Sequence, residues 1–337
     1  MGCQPAAAAV DGPATPNAEP QWAARPGGFD LQGHRGARGL APENTLHAFA
    51  VALSVGVSTL ELDVGITADG VVVVHHDRAI NPALTRGADG RWLQAPAPLL
   101  RTLDFSDLRQ LDVGRIDPAS SYARNFTQQQ PQDGARIPTL RSVFEHVRNI
   151  GAQHVRFNIE TKLSPLAPDE TVAPQRFAQA VLAEVQAAGM TARVSIQSFD
   201  WRSLRAVQQL APEVPTVCLT AQAPRFDTLG DGAWTAGLRR ADYPSVPHLV
   251  QAAGCKAWSP RAADLTQADV ANGHALGLRV LPWTVNQADE MDRLIAWGVD
   301  GLITDHPERG RDRMQAAGLA LPPRVEAPPA RLPAPGR

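Results

Sequence analysis

Glu61 and Asp63 stand two residues apart in LELDVGIT, and Glu160 stands two residues before Lys162 in NIETK. Each acid interrupts an apolar run that reads as a β-strand. Side chains alternate along a strand, so Glu61 and Asp63 share one face while Leu62 and Val64 point the other way. Glu160 and Lys162 share a face in the same manner. A charge left unpaired in such a run is costly. Ion pairs at a rim, Glu61 with Arg35 or Glu160 with Lys162, are one answer. A divalent cation is another, and it better explains why three carboxylates, the imidazoles of His34, His75 and His76, and two cations gather at a few strand ends. Oxygen donors from Glu61, Asp63 and Glu160 select a hard ion, Ca²⁺ or Mg²⁺. Arg35 and Lys162 would complete a pocket for an anion. Two histidines beside a metal and two cations suit acid–base work on a phosphate ester, with the metal and Arg35 stabilising charge on the phosphoryl oxygens.

Such a constellation needs strands that converge. Short β-branched runs alternate with helical patterns that stop at glycine. Strands are expected at 29–36, 58–67, 155–162, 193–199, 215–220, 256–260, 279–286 and 301–306, with a hairpin partner at 71–77 after the turn Asp69-Gly70. Helices are expected at 43–56, 139–151, 173–189, 201–210, 246–254, 266–277, 288–298 and 310–317. Eight strand–helix units predict a (β/α)₈ TIM barrel with its site at the C-terminal ends of the strands. An open doubly wound sheet is the competing fold, and the absence of G-x-G-x-x-G after the first strand argues against it. Residues 78–138 break the repeat and are expected to be an insertion after the second strand and its hairpin. Trp283 and Asn286, in WTVN at a strand end, line the pocket or pack beneath it. His75 is expected to face away from His76 and to be structural. Arg38 reads as a solvated loop cation, Glu43 as the opening of a helix or a site residue, and His306 as a surface or packing group.

Composition narrows the class. The chain has 337 residues, 44% hydrophobic, with a formal net charge of −2. That is enough for a full core and gives no basic face for nucleic acid. No apolar run long enough to span a bilayer occurs. Cys218 and Cys255 lie in apolar settings outside any C-x-x-C pair and read as buried thiols. Cys3, in MGCQPAAAAV, precedes a Pro- and Ala-rich stretch resembling the processed end of a bacterial lipoprotein. A lipidated Cys3 would tether the protein to a membrane in the periplasm or envelope; otherwise the chain would be cytoplasmic. Residues 1–28 and the Pro-rich residues 319–337 are expected to be tails outside the barrel at 29–318.

GHRGARGLAPENTLHAF, LELDVGITADGVVVVHHD, RIPTL, IETK, IQSF, WTVN and GVDGLITDHP, in this order, resemble the glycerophosphodiester phosphodiesterase family over roughly residues 29–310. The resemblance implies a (β/α)₈ barrel, a glycerophosphodiester substrate and release of glycerol 3-phosphate and an alcohol. It maps metal ligands onto Glu61, Asp63 and Glu160, a general base onto His34 and a general acid onto His76. It also implies that a glycerol hydroxyl attacks first, giving a cyclic phosphate that water opens, and that residues 78–138 cap the mouth. Two alternatives stand beside it. One is a phospholipase D-like or phosphatidylinositol-type phosphodiesterase, which would show an exposed apolar rim. The other is a phosphodiester-binding protein without catalysis.

Overall fold

The computed structural model describes residues 28–325. The elements run β1 (Asp30–Gly33), α1 (Leu46–Val55), β2 (Thr59–Ile66), β3 (Val72–Val74), α2 (Phe105–Leu108), α3 (Leu140–Asn149), β4 (Arg156–Thr161), α4 (Pro174–Ala187), β5 (Val194–Ser198) and α5 (Trp201–Leu210). There follow β6 (Thr216–Thr220), β7 (Gln222–Ala223), β8 (Phe226–Asp227), α6 (Val246–Ala252), β9 (Ala257–Pro260), α7 (Gln267–Ala275), β10 (Arg279–Val280), α8 (Ala288–Ala296), β11 (Gly301–Thr304) and α9 (Pro307–Ala316).

Eight parallel strands lie side by side in the order β10-β9-β6-β5-β4-β2-β1-β11. The ring is completed by backbone bonds across its ends: Asp300 N–H donates to Val280 O, Ile303 N–H to Pro282 O and Val285 N–H to Ile303 O, all between 2.9 and 3.0 Å. This is the (β/α)₈ barrel expected from the alternation, with β3 paired antiparallel on β2. The strand expected at 279–286 is regular only over Arg279–Val280, because Pro282 has no N–H to give the ladder. The expected first strand stops at Gly33, since Gly36 N–H turns back to Gly33 O.

The helices cover the outward faces of the strands for ordinary reasons. In α3 the buried residues Leu140, Val143, Phe144 and Val147 recur at helical spacing. Phe144 meets Phe157 of β4 edge-on at 4.9 Å. The Thr139 hydroxyl caps that helix by accepting from Ser142 N–H. Residues 78–138 carry a small core of their own, in which Ile80, Leu100, Leu108 and Ile137 pack with Val73 of β3. Residues 319–325, assigned by sequence to the tail, fold back on the barrel: Val325 N–H donates to Leu53 O at 3.0 Å and Arg311 to Pro322 O at 2.6 Å. Cys3 lies outside the described residues.

The two inner cysteines are not free thiols. Cys218 of β6 and Cys255, just before β9, form a disulfide with a Cα–Cα distance of 5.9 Å. β6 and β9 are neighbours in the sheet, with Val217 level with Ala257. That adjacency could not be read from a separation of 37 residues in the chain.

Beneath the rim the barrel is filled by polar groups. Asp30 Oδ1 accepts from Thr59 Oγ1 at 2.7 Å and lies 2.9 Å from Arg156. Asp30 Oδ2 accepts from Gln32 Nε2 at 3.0 Å. Asn158 Nδ2 donates both to Gln32 Oε1 and to Gln197 Oε1. Gln197 Nε2 then donates to Glu61 Oε1 at 2.8 Å. A buried hydrogen-bond chain thus runs from the barrel floor to the first of the predicted site carboxylates.

Candidate active site

The segment GHRGARGLAPENT leaves β1 and crosses the mouth before α1 begins. Gly33 is required here because a Cβ would lie 2.1 Å from Gly36 O. Gly36 has φ +87°, and a Cβ on it would run into the Ala48 backbone. Arg35 and Asn44 also adopt left-handed backbone, at φ 51° and 56°. Those turns aim both residues into the mouth, and α1 starts only at Leu46, capped by Thr45. The helix expected from Glu43 therefore loses its first turn to the site.

Glu61, Asp63 and Glu160 come together as predicted from strand alternation. One carboxylate oxygen from each lies within 4.8 Å of the others, and all three residues are buried. Glu61 Oε2 accepts from the Arg35 backbone N–H at 2.8 Å. Asp63 Oδ2 accepts from Asn44 Nδ2 at 2.9 Å and faces Arg35 Nε at 3.3 Å. Lys162 Nζ donates to Glu160 Oε1 at 2.7 Å and lies 3.5 Å from Asp63 Oδ1. The Arg35 guanidinium is drawn mainly to Glu43 Oε1, at 2.6 Å. Glu43 also accepts from the Tyr122 hydroxyl of the insertion. So Arg35 and Glu61 do meet, but through backbone rather than as the side-chain ion pair weighed above.

The electrostatics of this cluster are lopsided. Burial and the repulsion of Asp63 and Glu160 hold the Glu61 carboxyl well above its usual range. Burial and Asp63 push Glu160 up to about 7, against the pull of Lys162. Asp63 goes the other way: burial is outweighed by Lys162, His76 and Arg35, which keep it ionised. Its Oδ1 is nonetheless buried without a hydrogen-bond partner. An orphaned carboxylate oxygen beside two carboxyls that resist ionising is what a cation-binding cluster looks like without its cation, and the all-oxygen donor set fits a hard divalent ion.

The two histidines flank this cluster. His34 Nε2 lies 3.9 Å from Glu61 Oε2, while its Nδ1 is 2.6 Å from Asp305 Oδ1. Burial, then repulsion by Arg38, outweighs Asp305 and lowers His34 to about 4, so the ring is neutral at neutral pH. His76 Nδ1 is 2.7 Å from Asp77 Oδ1, and Asp77 is held by Asn81. Burial and the charges of Arg35 and Lys162 depress His76 well below its usual value, against the attraction of Asp63. His75 turns away, as alternation predicts, and its Nε2 meets Ala79 O at 3.3 Å.

Across the mouth the lining is aromatic. Trp283 donates from Nε1 to Ser259 O at 3.0 Å and packs edge-to-face on Phe199, which in turn contacts Phe226. Phe226 also meets Trp234. His306 is buried at the start of α9 and bonds Glu308. Arg38 departs from the expected solvated cation: its side chain is 12% exposed and forks onto Asp305 through Nε and Nη2. Sequence alone gives Asp305, Gln197 and Asn44 no site role. Gln197 carried a signal, since it faces inward beside Glu160 in the register of β4 and β5.

The glycerophosphoryl diester phosphodiesterase family model matches residues 34–309. The chain belongs to this family. A glycerophosphodiester phosphodiesterase of Caldanaerobacter subterraneus subsp. tengcongensis is 30% identical over 282 residues, covering 82% of this chain and 93% of that protein. One from Bacillus subtilis is 29% identical over 82% of this chain and 83% of its own. Among solved structures, one from Silicibacter pomeroyi DSS-3 superposes with a TM-score of 0.80. It is 35% identical and covers 89% of this chain and 97% of its own. An Oleispira antarctica phosphodiesterase solved with sn-glycerol-3-phosphate has a TM-score of 0.62 at 22% identity, over 86% of this chain and 97% of its own, a likeness of fold.

Proposed function

We propose that the protein hydrolyses glycerophosphodiesters to glycerol 3-phosphate and an alcohol, with Ca²⁺ or Mg²⁺ held by Glu61, Asp63 and Glu160. The observation that carries this reading is the buried three-carboxylate cluster with its orphaned Asp63 oxygen, set between two histidines. When bound, the ion would supply positive charge to the phosphoryl oxygens. Arg35 and Lys162 hold the same oxygens from the sides of β1 and β4. Trp283 lines the part of the mouth that receives the alcohol.

His34 is neutral and presents Nε2 toward the cluster, which suits it to take the proton from a glycerol hydroxyl attacking phosphorus. His76 gives a proton to the leaving oxygen. Burial first, then the charges of Arg35 and Lys162, lower its pKa in the free protein. A bound phosphodiester anion offsets part of that positive field, and the Asp77 carboxylate at His76 Nδ1 supports the protonated ring. Water then opens the cyclic phosphate with the two roles exchanged. The insertion gives the whole-lipid alternative little support. The insertion's Leu100 and Leu108 are buried in its own core, and Leu93 and Phe105 pack against it. Among the described residues the exposed large apolar ones are Leu166, Leu210 and Phe226; none is in the insertion, but Leu166 and Phe226 lie in the segments that follow β4 and β6.

The test is release of glycerol 3-phosphate from glycerophosphocholine with and without chelator. Activity should vanish on metal stripping and return with Ca²⁺ or Mg²⁺. His34→Ala and His76→Ala should each lower turnover by about 10²–10⁴-fold, and His75→Ala should do little. Full turnover after stripping would remove the metal from the reading.

We also propose an envelope or periplasmic location. The Cys218–Cys255 disulfide supports it, because disulfides persist in oxidising compartments and are rare in the cytosol. Recovery of the protein from its own cells with both thiols free to alkylation, and in the cytosolic fraction, would overturn this.

A further inference from the structure

We propose that Asp305, in the turn after β11, is the positioning residue that orients the His34 imidazole, and that the insertion sets it through Arg38. This rests on His34 as the base of the proposed reaction.

A carboxylate only accepts hydrogen bonds, so the 2.6 Å contact makes His34 Nδ1 the protonated nitrogen. The lone pair is left on Nε2, the nitrogen facing the Glu61 side of the cluster. Without Asp305 the ring could rotate or adopt the other tautomer, and the lone pair would leave the site. Asp305 is itself fixed from several sides. Arg38 donates from Nε to Oδ1 at 2.8 Å and from Nη2 to Oδ2 at 3.0 Å. Asn286 Nδ2 donates to Oδ2 at 2.7 Å, and Asn286 Oδ1 accepts from the Asp305 backbone N–H at 3.0 Å.

Arg38 is held in turn by residues 122–129 of the insertion. Its guanidinium lies 4.7 Å from the centre of the Phe126 ring. Arg38 Nη1 donates to Tyr122 Oη at 3.2 Å, and Gln129 Nε2 donates to Arg38 O at 2.8 Å. A segment outside the barrel repeat thus reaches the base through the Arg38–Asp305 ion pair and the Asp305–His34 hydrogen bond. The insertion is then part of the catalytic apparatus as well as a cap on the mouth.

The experiment compares Asp305→Asn, Arg38→Lys and Phe126→Leu in the metal-loaded full-length protein. Asp305→Asn should lower kcat by about 10–100-fold with KM and directly measured Ca²⁺ affinity unchanged. Arg38→Lys and Phe126→Leu should give smaller losses of the same kind. A 4-nitrophenyl glycerophosphate, whose leaving group needs no acid, should rescue His76→Ala but not Asp305→Asn. In the double variant His34→Ala/Asp305→Asn the two losses should not multiply. Multiplying losses, or a kcat unchanged in Asp305→Asn, overturn the inference. ¹⁵N-histidine NMR gives a reading free of activity: His34 should show a protonated Nδ1 in the wild type and lose that signature in Asp305→Asn. A wild type inactive on glycerophosphodiesters would refute the functional reading, while a His34 found protonated on Nε2 alone would refute the positioning role.

Discussion

Asp30 and Asp63 stand inside the same barrel, on β1 and β2, and neither reaches solvent. Asp30, at the floor, is faced by Arg156 and Arg279 and accepts from Thr59 and Gln32. Burial would raise its pKa, but the two arginines win and hold it below the usual carboxylate range. At the mouth the balance is reversed. Lys162 and Arg35 serve four carboxylates, Glu43, Glu61, Asp63 and Glu160. Glu61 and Glu160 are pushed up and an Asp63 oxygen is left without a donor. The floor is a finished structure. The mouth is short of positive charge in a fold that evidently can match charge elsewhere, and a shortfall confined to one layer points to an incoming cation and away from loose packing.

The sharpest test of this contrast is removal of one acid from each layer. Asp30→Asn strips the shared anion from Arg156 and Arg279, so unfolding in denaturant should show a loss of about 3–5 kcal/mol. Turnover per folded molecule should barely change. Glu160→Gln should do the opposite. Turnover should fall by about 10²–10³-fold, as when one electrostatic stabiliser of a transition state is lost, while the chelator-treated protein melts at a higher temperature than the wild type. If Glu160→Gln lowers the melting point of the metal-free protein, the two layers are alike and the contrast fails.

Gln197 joins the layers, accepting from Asn158 below and donating to Glu61 above. Gln197→Leu should weaken Ca²⁺ or Mg²⁺ binding by about 10–100-fold, the usual cost of losing a group that orients a ligand. Calorimetric titration checks it, and unaltered affinity would show that Glu61 needs no support from the floor.

The barrel and the carboxylate cluster were legible because both follow from periodicity. Strand–helix alternation predicts the ring, and a spacing of two predicts that Glu61 joins Asp63. The same rule applied to DLQGH would have placed Asp30, Gln32 and His34 on one inner face, and so pointed to the polar floor. What alternation cannot supply is contact between distant segments. Asp305 meets His34 across 271 residues, and Arg38 meets Tyr122 across 84. Cys218 and Cys255 pair because β6 and β9 are neighbours. The start of α1 was misplaced for a local reason: Glu43 is a good first-turn residue, but its carboxylate is engaged by Arg35 and Tyr122, and Thr45 takes the cap.

The smallest effect expected is a slope of stability with pH, and its sign separates the layers. Glu160 is raised from an ordinary 4.5 to about 7, and Glu61 is raised as well. Between those values the folded metal-free protein keeps a proton that the unfolded chain has released. These two carboxyls make stability fall as pH rises from about 5 to about 7, while His34, lowered to about 4, and His76, also lowered, work the other way, since there the unfolded chain carries the imidazole protons that the folded protein lacks. Asp30, being depressed, contributes stability that is fully present across this window and is lost only as pH falls through its folded value. The gap in melting temperature by which Glu160→Gln exceeds the wild type in chelator should therefore grow from about pH 5 to about pH 7, and should do so equally on an Asp30→Asn background. Saturating Ca²⁺ or Mg²⁺ should remove the Glu160 share in the wild type, since a bound cation favours the ionised carboxylates, and Glu160→Gln removes that share without metal but leaves that of Glu61, which burial and Asp63 keep raised. A gap between Glu160→Gln and the wild type that stays constant across that range would mean that Glu160 is already ionised and that Lys162 alone meets the charge of the cluster.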